Sequence, residues 1–445
     1  MKKLDVILRT CQQSLLSKNP MRICGDNRED MVIRCLSSLV NSINRIEFDV
    51  TLTILDDRSD KEFVGKIQHI MSMCHKPTKF VALDETGFNN SAYQQFLMAS
   101  QCDDMVYSVE DDYLHEPDAI KTMLEAYNHL YHRFKTDVVL YPFDCPLRYQ
   151  EGKEEPTMLL YDNVRYWRQC TKTANTIFTH SSVIMDNFSQ FSKLALEYPK
   201  VLEDDTINLI YKRFPDCQES VWCFSPIPSV AYHLSYQNDI NTIRTNHLSW
   251  QNLWNNDSRF DLIDGWFNYR TFYQTISPSL STDAIVVEVG SWLGKSTIGM
   301  ATMNQRMNKN IRIYAIDTWQ GSDEKDHHDK ISSMNKNNTS PYDQFINNIR
   351  CFDISKSIVP VRKTSMQAAR QFKDNSLDLV IIDASHEHDD VVVDINTWLP
   401  KVKKGGILAG DDYSPSWPGV VDAVNETFGK QGFQLMDSTW YKIIS

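Results

Sequence analysis

An α/β fold in two domains is the fold class that this 445-residue sequence predicts. Short apolar runs of strand length alternate with segments of helix length, a pattern typical of parallel sheets with helices on both faces. These runs fall into two sets, and a polar, asparagine-rich stretch at 236–258 separates them. We therefore predict a first domain at residues 1–245 and a second at 246–445.

The strands of both domains are predicted from apolar runs. Five belong to the first domain and four to the second: LDVILRT, VTLTILDD, KFVAL, MVYSVEDD and DVVLYPF, then IVVEVG, IRIYAID, LDLVIID and GILAGDD. The aromatic segment at 265–276 has the spacing of an amphipathic helix that opens the second domain. Core packing is the favoured role for this helix, and a substrate-facing lid is the alternative.

Composition and charge narrow the range of partners. The formal net charge is -12 and no basic face is evident, so nucleic acid is not an expected partner. The ten cysteines form no CxxC pair and indicate reduced core thiols. Since no run of about 18 uncharged apolar residues occurs, we expect no transmembrane segment and a soluble cytoplasmic protein.

A glycine turn between a strand and a helix marks the second domain. In AIVVEVGSWLGKSTIGMA three residues stand between Gly290 and Gly294, where a P-loop needs four, and the GxGxxG fingerprint fails as well. The pattern Glu288-x-Gly290-x-x-x-Gly294 resembles the first motif of class I S-adenosylmethionine-dependent methyltransferases. That resemblance implies a Rossmann-like domain with cofactor contacts at Glu288, Gly290, Ser291, Gly294, Asp317, Thr318, Ser365 and Asp383.

Asp317 ends the next strand, where such enzymes place an acid that binds the ribose. One carboxylate can accept hydrogen bonds from both ribose hydroxyls. A helix cap or a turn residue is the bland alternative, but the position after the glycine turn favours ribose binding.

Three further carboxylates follow later strands of the same sheet. Asp383 and the Asp411–Asp412 pair should meet beyond the carboxyl ends of those strands and would repel each other without a cation. Their spacing, with His386 three residues after Asp383, resembles the metal-dependent sugar O-methyltransferases of macrolide biosynthesis, of the macrocin and mycinamicin type. The resemblance implies Mg²⁺ on Asp383, Asp411 and Asp412, with His386 as general base. Alternatively, Asp411 and Asp412 only cap a turn and His386 lies on the surface.

The polar stretch at 322–343 has no counterpart in that resemblance. We predict that it forms a mobile loop that contacts the acceptor.

The first domain resembles glycosyltransferases of the GT-A fold. The strand MVYSV runs into Glu110-Asp111-Asp112, similar to their DxD motif. The resemblance implies Mn²⁺ or Mg²⁺ on Asp112 and His233, an acceptor-deprotonating base at Asp204 or Asp205, and nucleotide-sugar contacts at Arg9, Thr10, Asp56, Asp57 and Asp111. The alternatives are purely structural. The acids at the end of the strand would bind no ligand, Asp204 and Asp205 would only stabilise the start of a helix through its dipole, and His233 would be a structural histidine.

Together the two resemblances imply a bifunctional enzyme of bacterial or viral surface polysaccharide assembly. The expected partners are a UDP-, dTDP- or GDP-sugar donor and a glycan acceptor, and homo-oligomerisation stays open. One rival is a sugar O-methyltransferase whose first domain only binds glycan or nucleotide. The other, a nucleic-acid methyltransferase, is disfavoured by the acidic charge balance and by the lack of a DPPY-type motif.

Overall fold

The division of the chain is visible in the computed structural model. It describes residues 1–12, 27–85, 87–145, 157–213, 221–234, 247–322, 325–336, 338–352 and 354–445. The chain separates into two compact units, Met1–Leu262 and Ile263–Ser445. No helix among these residues is long and apolar enough to cross a bilayer.

The boundary lies later than the predicted position at 245/246. Two short helices, His247–Asn255 and Arg259–Leu262, belong to the first unit. The polar composition of this stretch indicated a linker, but its charged residues face partners in the first unit.

These partners form an ion-pair network on helix Arg28–Asn44. Arg259 lies 2.9 Å from Asp30 and 2.6 Å from Asp257, and Arg34 lies 3.2 Å from Asp257. Asp257 and Arg259 are both buried. Buried charges are tolerated only when paired, and removing one partner is strongly destabilising. The network therefore fixes the segment after 247 to the first unit.

The first unit contains a sheet of nine strands among its described residues. Their order is β3-β2-β1-β4-β9-β6-β10-β8-β7. The strands are β1 (Lys3–Thr10), β2 (Asp49–Asp56), β3 (Thr78–Ala82), β4 (Met105–Glu110), β6 (Val138–Leu140), β7 (Leu159–Tyr161), β8 (Tyr166–Gln169), β9 (Ile177–His180) and β10 (Trp222–Ile227). A separate two-stranded sheet pairs β5 (Tyr113–His115) with β11 (Ala231–His233).

This sheet is mixed, whereas the sequence predicted a parallel one. β1 pairs in parallel with β2 and β4, but β9 is antiparallel to β4 and β8 is antiparallel to β10. The hairpin of β7 and β8 closes through a short turn at 162–165, and a turn that short can only join antiparallel strands. All five apolar runs predicted here are strands.

The helices of the first unit cover the sheet with amphipathic faces. Helix Arg28–Asn44 is capped by Asn27, whose side chain accepts a hydrogen bond from the backbone N–H of Asp30. Apart from Arg34, its residues from Met31 to Ile43 are buried. Besides the two helices after 247, the described part of this unit also contains helices at Lys61–Ser72, Phe88–Ser100, Ala119–Phe134, Ser181–Asp186 and Phe188–Glu197, with 3₁₀ turns at Glu203–Asp205 and Ile207–Ile210.

The second unit has a seven-stranded sheet in the order β14-β13-β12-β15-β16-β18-β17. The strands are β12 (Ile285–Val289), β13 (Arg312–Asp317), β14 (Ile358–Arg362), β15 (Leu377–Ile382), β16 (Val402–Gly410), β17 (Gln434–Met436) and β18 (Thr439–Ile443). The first five are parallel, in the 3-2-1-4-5 order of a doubly wound sheet. The β17–β18 hairpin pairs antiparallel with β16.

Among the described residues, helices precede the first of these strands and lie between the later ones along the chain. They are Arg270–Ile276, Lys295–Arg306, Lys325–Lys336, Pro341–Arg350, Ser365–Ala369, His388–Trp398 and Pro418–Phe428, with 3₁₀ turns at Ser277–Ser279 and Leu399–Lys401. The aromatic segment at 265–276 is helical only from Arg270, and its Phe272 and Tyr273 are buried, which agrees with the core-packing interpretation.

The loop predicted at 322–343 is instead helical over Lys325–Lys336. His327 and Ile331, one turn apart, both approach Gly321, where a β-carbon would lie 2.6 Å from Ile331 Cδ1. Side chains four residues apart share a helix face, so this polar segment has a packed side that its composition concealed.

Candidate active sites

The glycine turn of the second domain depends on both of its glycines. Gly290 and Gly294 have φ of +90° and +88°, a region that glycine adopts without a β-carbon penalty. A β-carbon on Gly290 would lie 1.8 Å from the Asp383 carbonyl oxygen, and one on Gly294 would lie 2.9 Å from the Phe345 ring. The turn therefore packs directly against the end of β15, and helix Lys295–Arg306 starts close behind it.

Asp317 is held at the end of β13 by backbone donors. Its Oδ2 accepts from the N–H of Trp292 at 2.8 Å, and its Oδ1 accepts from the N–H of Trp319 at 2.6 Å. Burial raises the pKa of Asp317, and these two N–H groups oppose that effect. Each carboxylate oxygen can accept a second hydrogen bond. The arrangement suits a ligand with two adjacent hydroxyls.

Glu288 lies in the core behind the turn. Its carboxylate accepts from the Tyr273 hydroxyl at 2.7 Å, from Ser296 Oγ at 2.9 Å and from Thr297 Oγ1. Burial raises its pKa, and the three hydroxyls lower it. Ser291, also buried, directs its hydroxyl to the Glu288 carbonyl. Both residues fix the shape of the turn from inside.

Ser365 and Thr318 lie near the ends of neighbouring strands. Thr318 follows Asp317, and its Oγ1 accepts from the Gln320 N–H at 3.3 Å. Ser365 begins a short helix after β14, and its Oγ accepts from Trp398 Nε1 at 2.8 Å. Ser365 also bonds to Asp394, whose pKa burial raises to about 6. The hydroxyl of Ser365 thus bonds to two residues of helix His388–Trp398.

Asp383, His386 and Asp412 meet beyond the ends of β15 and β16. The parallel register aligns Ile382 with Gly410, so the residues after both strands leave the sheet at one edge. One possible ligand atom from each of the three side chains lies within 4.8 Å of the other two. Nε2 of His386 lies 2.9 Å from Oδ2 of Asp412. This group is the acid cluster of the second domain.

Asp411 lies outside the acid cluster, although the sequence placed it among the metal ligands. Its Oδ1 accepts from Ser438 Oγ at 2.6 Å, and Asn268 donates to it as well. The backbone turns between the two acids, because Asp412 has φ of +63°. Asp411 is directed toward the β17–β18 hairpin while Asp412 faces His386.

Charge repulsion acts on Asp383. Burial raises its pKa well above the usual range, and the nearby Asp411 and Asp412 raise it further. The buried Tyr269 side chain lowers the pKa of Asp383 and so opposes this rise. A divalent cation would remove the repulsion. Sequence reasoning missed both Asn268 and Tyr269, because their segment was interpreted only through its aromatic spacing.

The loop after β16 encloses His386. The Trp417 ring centroid lies 3.8 Å from that of the imidazole at an interplanar angle of 30°. A β-carbon on Gly419 would lie 2.4 Å from the His386 carbonyl oxygen, so the start of helix Pro418–Phe428 approaches the His386 backbone closely. His386 is therefore held by Asp412 and by the face of Trp417.

In the first domain, three consecutive acids each pair with a different basic residue. Glu110, Asp111 and Asp112 follow one another at the end of β4. The pairs and their N–O distances are Arg9–Glu110 at 2.8 Å, Arg28–Asp111 at 2.7 Å and His233–Asp112 at 3.4 Å. Burial raises the pKa of Glu110 and of Asp111, and the partner arginine lowers each. Arg28 is the member of this set that the sequence analysis missed.

The small β5–β11 sheet brings His233 to Asp112. β5 begins directly after Asp112, and antiparallel pairing sets His233 opposite Tyr113. The two rings stack with centroids 4.7 Å apart. The predicted metal ligands, separated by more than 100 residues in the sequence, therefore lie side by side.

Thr10, Asp56 and Asp57 form one buried turn at the ends of β1 and β2. Thr10 Oγ1 donates to Asp56 at 2.9 Å, and Asp57 accepts from the Gly87 N–H at 3.0 Å. Arg9, on the same edge, places its guanidinium over the Phe88 ring at 4.5 Å. The predicted nucleotide-binding residues thus share one sheet edge with the acids of β4.

Asp204 and Asp205 lie exposed on a 3₁₀ turn. Asp204 bonds to Lys172 at 2.9 Å, which lowers its pKa, and it accepts from Asn208 at 2.9 Å. Asp205 accepts from the Leu202 N–H at 3.2 Å. The segment after Lys172 leads to Asn175, which donates to Glu110 at 3.3 Å. The turn therefore connects to the acid motif through residues 172–175.

Comparison with known proteins identifies both domains. Residues 23–197 match the glycosyl transferase family 2 model, and residues 287–413 match a methyltransferase domain model. The comparison with curated proteins gave no match.

Several solved structures are similar to part of the chain. The O-methyltransferase NovP is 20% identical with a TM-score of 0.30 and covers 40% of this chain and 78% of its own. The TDP-rhamnose 3'-O-methyltransferase CalS11 is 15% identical with a TM-score of 0.28, covering 43% and 85%. A precorrin 8W decarboxylase from Methanobacterium thermoautotrophicum is 13% identical with a TM-score of 0.28, covering 41% and 94%.

The matched ranges fall in separate structural units. The first contains the acids Glu110 to Asp112, and the second contains Asp317, Asp383 and Asp412. The chain therefore joins a glycosyltransferase family 2 domain to a Rossmann-like methyltransferase domain, and the two domains indicate both transferase activities.

Proposed function

We propose that the chain is a bifunctional enzyme of polysaccharide assembly. Its first domain transfers a sugar from a nucleotide-sugar with inversion, and its second O-methylates a sugar hydroxyl. The observation that carries this proposal is that each domain pairs a strand-end carboxylate with an imidazole, Asp112 with His233 and Asp412 with His386. Such a pair can take a divalent cation or move a proton.

In the first domain, Asp112 and His233 would hold Mn²⁺ or Mg²⁺. Their facing oxygen and nitrogen atoms lie 3.4 Å apart, so both could reach one ion. When bound, the cation would neutralise charge on the nucleoside diphosphate leaving group. Asp204 or Asp205 would remove the acceptor proton, and their exposure on the 3₁₀ turn leaves room for an acceptor.

In the second domain, Gly290 and Asp317 would bind S-adenosylmethionine, which supplies an activated methyl group. The two carboxylates of the acid cluster offer oxygen ligands of the kind that Mg²⁺ prefers, so the residues fit that ion. His386 would take the proton of the sugar hydroxyl, and Asp412 and Trp417 hold its ring for that step. Asp411, bonded to Ser438, would support the site from behind.

Reciprocal variants test the assignment. Asp112→Asn should abolish Mn²⁺-stimulated cleavage of the UDP-, dTDP- or GDP-sugar that the wild type uses, and methyl transfer should persist. His386→Ala should lower methyl transfer from labelled S-adenosylmethionine to a sugar about 10²- to 10⁴-fold and leave sugar transfer intact. Loss of both activities in either variant, without loss of folding by circular dichroism, would contradict two independent sites.

A further inference from the structure

The strongest feature outside the predicted sites is Arg28, at the first turn of helix Arg28–Asn44. Its side chain is only 9% exposed. Nη2 donates to both oxygens of Asp111 at 2.8 and 2.7 Å, and Nε donates to the Cys11 carbonyl at 2.7 Å. Among the described residues, these bonds use Nε and Nη2, and Nη1 is the nitrogen that neither Asp111 nor Cys11 engages.

The position of Arg28 is that of a ligand site. Cys11 follows β1 and Asp111 follows β4, and these neighbouring strands lie where the sheet order reverses, with β2 and β3 on one side and β4 on the other. Doubly wound sheets bind ligands in the crevice at such a switch point. Arg28 therefore lies at this crevice, beside the acids of β4.

The charges around Arg28 favour an anionic ligand that binds together with a cation. Burial opposes its positive charge, but attraction to Asp111 and Asp112 outweighs burial and raises its pKa. The 17-residue helix that starts here adds the positive end of its dipole. A guanidinium held in a fixed orientation recognises phosphate oxygens through paired N–H groups.

We propose that Arg28 binds the diphosphate of the nucleotide-sugar donor through Nη1, and that Asp111 is the positioning residue that holds the guanidinium in place. The proposal rests on the glycosyltransferase half of the proposed function. It changes the role of Asp111, which the sequence predicted to contact the nucleotide-sugar itself. Both oxygens of Asp111 already accept hydrogen bonds from Arg28, and Oδ2 also accepts from the Cys11 N–H.

Calorimetry with Mn²⁺ and UDP, dTDP or GDP tests the proposal, using whichever nucleotide the wild type binds most tightly. Arg28→Gln should weaken diphosphate binding about 10- to 100-fold, the range for a lost charged hydrogen bond. The affinity for the matching nucleoside, measured by saturation-transfer NMR, should be the same in Arg28→Gln as in the wild type. The diphosphate affinity of Arg28→Lys should lie between those of the wild type and Arg28→Gln, because lysine keeps the charge but lacks the planar guanidinium. Arg45→Gln, at the exposed far end of the same helix, is the matched control.

The double variant Arg28→Gln/Asp111→Asn separates recognition from repulsion. It removes the unpaired carboxylate that Arg28→Gln alone would leave in a buried place. If the double variant stays as weak as Arg28→Gln, the lost donor is the cause and the proposal is supported. Recovery to wild-type affinity would overturn it, as would wild-type binding by Arg28→Gln. If no nucleoside diphosphate binds the wild type, the proposal fails together with the glycosyltransferase assignment.

Discussion

Asp412 brings a carboxylate oxygen within 2.9 Å of Nε2 of His386 although its own backbone has φ of +63°. The left-handed region costs an ordinary residue about 1–2 kcal/mol, and Asp and Asn adopt it more readily than others. Residues held in this conformation concentrate at functional sites. The backbone that aims Asp412 at His386 is therefore part of the site.

Replacement of Asp412 should separate its charge from its backbone. Asp412→Asn keeps a side chain that tolerates positive φ, so the melting temperature should stay near that of the wild type while Mg²⁺ affinity and methyl transfer fall. Asp412→Ala should lose Mg²⁺ affinity and methyl transfer, and in addition about 1 kcal/mol of stability. Asp437, exposed and with φ of +53°, gives the control, since Asp437→Ala should show the backbone cost alone. Full activity in Asp412→Asn would remove this residue from the site.

Gly290 should tolerate no side chain. Gly290→Ala would combine positive-φ strain with a β-carbon 1.8 Å from the Asp383 carbonyl oxygen. We expect a loss of about 2–5 kcal/mol in the free energy of unfolding, measured with urea. Gly429 has φ of +69° and open space around it, so Gly429→Ala should show only the strain. An equal loss of unfolding free energy in the two variants would mean that the backbone at Asp383 moves aside at little cost.

Asp317 should dominate the affinity for the adenosine part of the cofactor. Asp317→Ala removes the acceptor for two ribose hydroxyls and the anchor for Trp292 and Trp319, and it should weaken binding of S-adenosylhomocysteine by about 2–4 kcal/mol in calorimetry. Asp374→Asn, at an exposed carboxylate paired with Lys401, is the charge-matched control. Unchanged affinity in Asp317→Ala would contradict the assignment.

Asp394 should make stability depend on pH. Burial raises its pKa from 3.8 to about 6, so the folded protein holds this proton more tightly than the unfolded chain. Its contribution is therefore lost as pH rises from about 4 to 6, on the order of 3 kcal/mol in total. Asp394→Asn cannot ionise and should gain stability over the wild type between pH 4 and 7. A constant difference in melting temperature across that range would show that Asp394 ionises normally when folded.

Residues at strand ends could be predicted from the sequence, and their side-chain directions could not. Buried apolar runs located the carboxyl ends of β12, β13, β15 and β16, and with them Asp317 and Asp383. The choice between Asp411 and Asp412 depended on the hairpin that brings Ser438 to one of them. β14 was missed because Pro360 interrupts its apolar pattern.

Contacts between residues far apart in the sequence could not be predicted from it either. Arg28 is the first residue of a helix and carries no local signal of a ligand site. Only the folded sheet brings it to Asp111, which is 83 residues away in the sequence. His233 was found through the family resemblance, and its physical cause, the pairing of β5 with β11, became visible only in the fold.

The network of Asp30, Arg34, Asp257 and Arg259 sets where the gene can be divided to obtain a separate glycosyltransferase. A fragment that stops at residue 245 discards Asp257 and Arg259 and exposes the surface of helix Arg28–Asn44 that they cover. That helix begins with Arg28, so a truncation chosen from the polar composition alone would disturb the crevice beside Arg28 as well. Recombinant versions of the first domain should extend to Leu262.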